Sequence, residues 1–349
     1  MSRPEQKSAL NIVMGCMTFG VEGSEGARVH KVEDIAAILD VFQAHGHSEL
    51  DTARVYTAGT SEELLGELGW QKRGLVMETK LYPNGANAAV AGPGGVIITH
   101  SPEDLRKQLD ISLKALKAES IDMWYLHAPD RTTPYEVTLK AVNDLHKEGK
   151  FKRFGISNYM AWEVAEIVAI CKANGYIQPT AYQGIYNAIH RNVEPELFLC
   201  LRKFGIAFYE FNPLGGGFFT GRYRAIDDDV EPGSRFDPAR NQGKARPWDT
   251  SSSYRNRYWN DAYFKALASI EIVAQKYSLT IAEVALRWVS HHSFLKREYG
   301  DAIIIGASSL NHIEQNLVDL EKGPLPDEVV KVLDEAWDSV KPFASKYYH

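Results

Sequence analysis

The chain has few cysteines and no long apolar run. Its 349 residues contain only three cysteines, Cys16, Cys171 and Cys200, at wide spacings. An odd count at such spacings argues against a disulfide framework and against a cysteine-rich zinc site, and it predicts a protein of the reducing cytoplasm. The sequence lacks a run of about eighteen apolar residues, so no membrane span is expected. Residues 1–7 are polar and lack the apolar centre of a signal peptide.

Basic residues are fewer than acidic ones. Lysine and arginine number 39 against 45 aspartates and glutamates, which gives a formal net charge of −6. Binding to a phosphate backbone needs a basic surface, so the charge argues against a nucleic-acid partner. Apolar residues make up 44% of the chain and charged residues 24%. These values are typical of a folded globular protein and exclude a disordered or collagen-like chain.

Short strand-like runs alternate with longer helical patterns. The patterns predict strands at residues 11–16, 49–51, 75–80, 121–127, 151–156, 180–183, 206–212 and 302–305. They predict helices at residues 31–45, 61–69 with Ser61 as N-cap, 101–116, 134–148, 161–174, 194–204, 262–277, 281–290 and from about 310. Eight βα repeats predict an α/β protein, a closed (β/α)8 TIM barrel. We expect a single domain over residues 1–349, with a C-terminal tail at about 325–349.

The competing fold is an open doubly wound sheet. That fold usually carries a G-x-G-x-x-G phosphate-binding turn after its first strand, and this pattern occurs nowhere in the chain. Two stretches exceed what a minimal barrel needs, namely residues 83–99 and 215–260. Long loops in compact domains are usually functional or disordered. The second stretch follows a strand, so in a barrel it would lie over the catalytic face.

Four ionisable residues fall where predicted strands end. Asp51, Lys80 and His127 end the second, third and fourth strands, and Tyr56 follows five residues after Asp51. In a barrel such positions converge on the active site. Taken singly, an aspartate there is more often a cap, a lysine more often solvated and a buried histidine more often satisfied by a neighbour. Their joint placement at successive strand ends favours a catalytic set.

The chemistry of these four groups is complementary. A tyrosine hydroxyl has a reference pKa near ~10, so at neutral pH it can donate a proton. A neighbouring ammonium favours the phenolate and lowers that pKa, and an aspartate would hold the lysine charged. A histidine beside the tyrosine can hydrogen-bond a substrate carbonyl. This set suits proton transfer to an oxygen that becomes an alkoxide as hydride reaches the carbon.

At these residues the sequence resembles the aldo-keto reductase superfamily. The run DTARVY at 51–56 is similar to its D-T-A-x-x-Y motif, ETK at 78–80 to its T-K and YLH at 125–127 to its L-H. The resemblance implies that Tyr56 is the general acid/base, that Lys80 tunes its pKa and that Asp51 pairs with Lys80. It implies that His127 orients the substrate carbonyl. The resemblance covers about residues 10–320.

The same resemblance implies a nicotinamide cofactor, NADPH/NADP+, bound across the mouth of the barrel. GISN at 155–158 is similar to the segment that holds the nicotinamide carboxamide. NPLGGG at 212–217 is similar to the loop that folds over the pyrophosphate. The stretch from 305 to 316 is similar to the region that binds the adenosine 2′-phosphate and adenine. Glycines let backbone N–H groups approach phosphate oxygens closely. Serines and a histidine replace basic residues that are common there in other branches, and Ser308 and Ser309 alone could be simple helix caps. The implied cofactor-binding residues are Met17, Asp51, Ser157, Asn158, Gln183, Phe211, Asn212, Pro213, Leu214, Gly216, Gly217, Thr220, Gly221, Arg222, Arg235, Ser308, Ser309, His312, Gln315 and Asn316.

A further stretch is similar to the aflatoxin-aldehyde reductase branch, whose members reduce dicarbonyls and carboxylate-bearing aldehydes such as succinic semialdehyde. YRNRYW at 254–259 is its main marker. The resemblance implies that Tyr254 and Arg257 contact substrate together with Tyr56 and His127, and an arginine fork suits a carboxylate. The alternative for this stretch is a surface loop with salt bridges. Members of the branch end in an arginine that reaches the substrate, whereas this chain ends in His349, a pH-dependent anion ligand.

We therefore expect a cytoplasmic, NADPH-dependent reductase of dicarbonyl, carboxylate-bearing or aromatic aldehydes. Its partners would be a small aldehyde or ketone and a second copy of the chain, with no metal, membrane or nucleic acid. The alternative is a cofactor-binding, redox-sensing regulatory subunit resembling potassium channel β subunits. A barrel hydrolase would need a nucleophile or a metal cluster at the strand ends, and the sequence shows neither.

Overall fold

Eight parallel strands close into a barrel. The computed structural model describes residues 4–85, 96–238 and 250–349. Each strand pairs with the next in the chain, and the last pairs with the first, which leaves no sheet edge. The predicted (β/α)8 barrel is thereby confirmed. The strands are β1 (Asn11–Gly15), β2 (Glu49–Asp51), β3 (Val76–Leu81), β4 (Ile121–Leu126), β5 (Phe151–Ser157), β6 (Pro179–Ile185), β7 (Ala207–Phe211) and β8 (Ala302–Gly306).

Helices surround the barrel and bury one face each. The helix after β3 illustrates the local causes: Ser101 accepts a hydrogen bond from the backbone N–H of Asp104, Pro102 occupies the first turn, and the leucines at helical spacing are buried. None of the helices in the described ranges is long and apolar enough to cross a bilayer. The helices are α1 (Val32–Ala44), α2 (Thr60–Leu68), α3 (Pro102–Ala115), α4 (Tyr135–Lys147), α5 (Ala161–Asn174), α6 (Leu197–Phe204), α7 (Thr250–Tyr258), α8 (Asp261–Lys276), α9 (Ile281–His291), α10 (Leu310–Leu320) and α11 (Asp327–Val340).

Side chains of the described residues fill the barrel interior as a packed core. An apolar cluster that includes Val13, Met123, Ala181 and Ile304 lies there, separate from the larger core between barrel and helices. Tyr125 also points inward, and a Cβ on Gly155 of the neighbouring strand would lie 2.3 Å from its ring. Glycine at 155 therefore makes room for this tyrosine beneath the mouth.

The structure corrects three expectations about local structure. Ser61 does not cap α2, because Gly59 occupies that position and the buried Ser61 hydroxyl donates to the Cys16 carbonyl at 3.0 Å. The stretch 215–260 is not all loop, since it contains a 3-10 turn (Gly215–Thr220) and α7. The segment at about 325–349, to which no helix was assigned, contains α11, whose apolar face is buried. Residues 86–95 of the predicted loop at 83–99 lie outside the described residues.

Candidate active site

The site is built at the carboxyl ends of β2, β3 and β4. Lys80 is fully buried, and its ammonium donates to both carboxylate oxygens of Asp51, at 2.6 and 2.7 Å, and to the Thr52 carbonyl at 2.7 Å. All three donors of the lysine are thus used. Burial lowers the pKa of Lys80, but Asp51, with smaller contributions from Tyr56 and Glu78, raises it, and the net shift is upward. The lysine therefore stays charged.

Tyr56 lies next to this ion pair. The Lys80 ammonium is 4.9 Å from the centroid of the tyrosine ring. Burial raises the pKa of the tyrosine to about 12. The charge of Lys80 lowers it, as the sequence predicts, but acts less strongly than burial. The net direction is therefore opposite to the expected one. Without other ligands the tyrosine holds its proton throughout the neutral range.

An unusual backbone turn presents Tyr56 to the mouth. Thr57, Ala58 and Gly59 have positive φ angles of 48°, 57° and 95°, a conformation that only glycine adopts without strain. Arg54 secures the turn by donating to the buried Glu62 at 2.6 Å, and Glu62 also accepts a hydrogen bond from Thr79 beside Lys80. Sequence reasoning missed Glu62, since nothing in its local pattern separates it from a surface glutamate of α2.

His127 completes the set of four. Its ring lies edge-on to Tyr56, with centroids 5.9 Å apart, and edge-on to Tyr82 at 5.2 Å. Burial, followed by the charge of Lys80, keeps the pKa of His127 well below its usual value. The imidazole is therefore neutral, and its buried Nδ1 has no hydrogen-bond partner among the described residues. A neutral imidazole can still donate one N–H to a carbonyl oxygen.

Three amide and hydroxyl side chains extend the site toward β5 and β6. Asn158 has a left-handed backbone, with φ of 65°, and its amide donates to the His127 carbonyl at 2.8 Å and to the Ser157 hydroxyl at 2.9 Å. Gln183 donates to Asp51 at 2.8 Å. The residues expected at the carboxamide therefore contact the catalytic candidates directly, a coupling that sequence spacing does not reveal.

The glycine-rich stretch after β7 forms a cradle beside Phe211, which is half-buried at the strand end. Gly215, Gly216 and Gly217 all have positive φ, and a Cβ on Gly216 would lie 2.1 Å from the Tyr254 ring. Tyr254 donates to Asn212 Oδ1 at 2.9 Å, while the buried Nδ2 of Asn212 has no partner in the described part of the chain. Pro213 and Leu214 continue the turn into the 3-10 segment.

Basic residues of the following loop are held near the cradle. Arg222 and Arg28 both pair with Glu231, Arg28 at 2.8 Å. The Arg235 guanidinium lies 5.1 Å from the Tyr254 ring centroid, and an N–H of Arg235 donates to the Met17 sulfur at 3.0 Å. The Thr220 hydroxyl donates to the Gly217 carbonyl, and Gly221 takes a left-handed conformation at the end of the turn. Arg28 and Glu231 were missed, because their contact joins segments about 200 residues apart.

The residues expected at the adenine end lie at the start of α10. Ser309 is the N-cap of that helix and accepts from the His312 backbone N–H at 3.3 Å, so its capping role is real. Ser308 hydrogen-bonds the His312 ring at 3.0 Å, and both serines line a cavity of about 690 Å³ together with Arg28. The other two residues make local contacts: Gln315 donates to Asp319 and Asn316 to the Gly306 carbonyl.

Comparison with known proteins agrees with this geometry. Residues 11–338 match the aldo/keto reductase family. The chain belongs to the aldo/keto reductase family. It is 46% identical to aldo-keto reductase pigE of Monascus ruber over 98% of both chains. It is 42% identical to human aldo-keto reductase family 7 member A3 over the whole of both chains, and 42% identical to human aflatoxin B1 aldehyde reductase member 2 over 100% of this chain and 92% of the relative. The protein is thus an oxidoreductase of the predicted branch.

In this aldo/keto reductase, the residues expected to bind substrate come from α7 and from the end of the chain. Tyr254 is buried, and the Arg257 guanidinium lies 5.7 Å from its ring centroid. Both residues belong to the stretch 215–260, which the sequence predicts to be a long loop, but they lie on α7. His349 contacts three neighbours: its backbone N–H donates to the Asn158 carbonyl at 3.1 Å, its carbonyl accepts from Arg131 at 2.8 Å, and its Nδ1 lies 3.5 Å from the Tyr82 hydroxyl.

Proposed function

We propose that this protein reduces aldehydes to alcohols with NADPH, which supplies the hydride when bound, while Tyr56 donates the proton to the carbonyl oxygen. The observation that carries the proposal is the buried Asp51–Lys80 ion pair beside the Tyr56 ring. The fixed ammonium stabilises the phenolate that remains after the proton has left. His127, neutral and within reach of Tyr56, holds the carbonyl oxygen toward the hydroxyl.

The residues present fit a dinucleotide cofactor. The buried Nδ2 of Asn212, which has no hydrogen-bond partner among the described residues, offers a donor beside three glycines with positive φ, and a Cβ at 216 would lie 2.1 Å from the Tyr254 ring. Arg222 and Arg235 lie on the same loop, and the charges of Arg222 and Arg28 reach His312 at the start of α10. Ser157, Asn158 and Gln183 would hold the carboxamide of the cofactor. This cluster of cations near Ser308 and Ser309 supports NADPH over NADH.

The substrate class follows from the groups around the carbonyl position. Tyr82, His127 and Tyr56 form an aromatic wall, and Arg257 on α7 supplies a guanidinium whose charge reaches Tyr82 and His349. We propose that the wall accepts aromatic aldehydes and that Arg257 binds the distal oxygen or carboxylate of dicarbonyls and semialdehydes. The names of the relatives, which include aflatoxin B1 aldehyde reductases, support an aldehyde as substrate.

The test is NADPH oxidation with succinic semialdehyde, a diketone, a quinone and an aryl aldehyde, repeated with NADH. Tyr56→Phe keeps the ring and removes only the hydroxyl. We expect it to lower turnover by about 10²–10⁴-fold, the usual contribution of a positioned acid, and to leave NADPH affinity, read from fluorescence quenching, nearly unchanged. Retained turnover would remove Tyr56 from the proton-donor role. Failure of every carbonyl with intact cofactor binding would favour the redox-sensing regulatory subunit.

We also propose that the protein is a cytoplasmic homodimer. The low cysteine count supports a reducing compartment. The exposed apolar side chains Trp162, Leu199 and Ile272 offer surface that a second copy could cover. Sedimentation equilibrium at micromolar concentration tests the oligomeric state, and a monomer under those conditions would contradict the expectation.

A further inference from the structure

A second group of ionisable side chains lies inside the barrel below the Asp51–Lys80 pair, and the proposed reaction does not use it. Glu78 is completely buried on β3, two residues before Lys80, and its Cα is paired with that of Asp51 across the β2–β3 ladder. Glu49 precedes Asp51 by two residues on β2 and reaches the same space. Charged groups are costly in a barrel core, so their number and balance need an explanation.

The charges in this space do not balance if every carboxyl is ionised. The Arg153 guanidinium contacts three carboxyl groups. They belong to Asp122 at 2.6 Å, Glu49 at 2.8 Å and Glu78 at 3.4 Å. The only other cation bridged to these three among the described residues is Lys152, which reaches Asp122 at 3.7 Å. Glu78 is the most deeply buried of the three carboxyls and the farthest from the guanidinium.

The geometry indicates where a proton must lie. The carboxyl groups of Glu49 and Glu78 meet at one donor, because Nη2 of Arg153 lies 2.8 Å from Glu49 Oε1 and 3.4 Å from Glu78 Oε1. Two carboxylates held this close repel each other, which favours a proton on one of them. Burial and the charge of Glu49 hold the pKa of Glu78 well above its usual value. For Glu49, hydrogen bonds from Glu78 and Arg153 outweigh burial and lower the pKa. The proton therefore belongs to Glu78.

This pair is coupled to the catalytic lysine. The Tyr125 hydroxyl donates to Glu78 Oε2 at 3.2 Å, and the Lys80 ammonium lies 5.9 Å from the ring centroid of the same tyrosine. The ionisable groups that face Glu78 are Glu49 and Asp51 from β2, Lys80 from its own strand, Tyr125 from β4, Arg153 from β5 and Tyr209 from β7.

We propose that Glu78 and Glu49 share a single proton below Lys80, toward the amino end of β2, and act as positioning residues for Lys80. With Glu78 neutral, the one negative charge of the pair is matched by Arg153, and Asp51 remains the direct counter-ion of Lys80. Loss of that proton would place a second negative charge below the lysine. The catalytic consequence rests on the proposed function, whereas the shared proton does not.

Infrared spectroscopy of the resting protein tests the proton directly. We expect wild-type protein to show the carbonyl-stretch band of a protonated carboxyl near neutral pH, and Glu78→Gln to lose it. Glu210→Gln is the matched control, because Glu210 is also buried but has no hydrogen-bond partner among the described residues, so its acid band lies at a different frequency. Identical protonated-carboxyl absorption in wild type and Glu78→Gln would overturn the proposal.

A further variant, Tyr125→Phe, keeps the proposal testable if Glu78→Gln folds poorly. Tyr125→Phe removes the hydroxyl that donates to Glu78, so it should shift the frequency of the band without abolishing it. An unshifted band would contradict the assignment. The infrared measurement does not depend on turnover. It therefore tests the shared proton even if the protein proves not to reduce aldehydes.

The kinetic consequence is read from the pH profile of carbonyl reduction. Glutamine mimics a neutral carboxyl but not a carboxylate, so Glu49→Gln should leave the charge of Arg153 unbalanced below Lys80. We expect the alkaline limb of the profile to move to lower pH by about one unit, the order expected for one charge removed within a protein interior. The displacement in Glu78→Gln should be smaller. A larger displacement in Glu78→Gln than in Glu49→Gln would place the charge on Glu78 and overturn the assignment.

Discussion

Lys80→Met should destabilise the protein as well as inactivate it. The lysine is fully buried, donates three hydrogen bonds of 2.6–2.7 Å and is the counter-ion of Asp51, which is only 2% exposed. Methionine fills the volume but leaves a buried carboxylate whose remaining side-chain donor among the described residues is Gln183. Breaking a buried pair on one side typically costs about 3–5 kcal/mol, and we expect a loss of that order in the free energy of unfolding at pH 7.

The double variant Asp51→Asn/Lys80→Met isolates the cause. It removes both charges and keeps an oxygen that Gln183 can bond, so it should recover much of the stability lost in the single variant. Lys140→Met is the control, since Lys140 forms an exposed pair with Asp144 and such pairs contribute little. Urea unfolding followed by tryptophan fluorescence gives the comparison. A Lys80→Met variant no less stable than Lys140→Met, or a double variant less stable than Lys80→Met, would refute the reasoning.

Three other predictions test separate parts of the molecule. Arg257→Ala should raise KM about ten- to a hundredfold for carboxylate-bearing aldehydes, which is the range expected for the loss of one charged hydrogen bond. KM for neutral aldehydes should rise much less. An equal rise for both classes would show that Arg257 does not bind the carboxylate. Gly216→Ala should weaken NADPH binding in a fluorescence titration, because the new Cβ would lie 2.1 Å from the Tyr254 ring at a φ of +69°. An unchanged Kd for NADPH would show that the cofactor does not bind against this glycine. Burial lowers the pKa of His100 to about 4, so below about pH 6.5 the unfolded chain binds a proton that the folded chain does not. Stability should therefore fall between about pH 6.5 and 4, by up to about 3 kcal/mol from this residue. The loss of stability with falling pH should be smaller in His100→Gln than in the wild type. The urea midpoint of both proteins, measured between about pH 7 and pH 4, tests this, and the same pH dependence in both would contradict it.

Local patterns were sufficient to predict the fold and to bring the four central residues together. Strand and helix periods are properties of short windows, and a parallel barrel places all strand ends at one mouth. Asp51, Lys80 and His127 could therefore be assigned a common location without any long-range information. Most boundaries differed by one or two residues, and α6 begins at Leu197, three residues later than expected, as is usual for fraying ends.

What the sequence could not give are contacts between distant segments. Arg28 meets Glu231, and His349 meets Asn158, because the fold brings their loops together; no local spacing encodes either pair. The helix α11 is a different case. Its buried Val329, Leu333 and Val340 follow helical spacing after Pro326, so the signal was present. It was missed because eight βα repeats already completed the barrel.

The protonation of Tyr56 connects the fold to the direction of the reaction. Burial raises the pKa of this tyrosine to about 12 even with Lys80 beside it, so the resting site holds a phenol and not a phenolate. Carbonyl reduction needs a proton donor and can begin from that state, whereas alcohol oxidation needs a base and must first remove the proton. If the site acts as proposed, reduction should vary little with pH in the neutral range, and alcohol oxidation should rise toward alkaline pH. Opposite trends in the two initial-rate profiles would show that another group donates the proton.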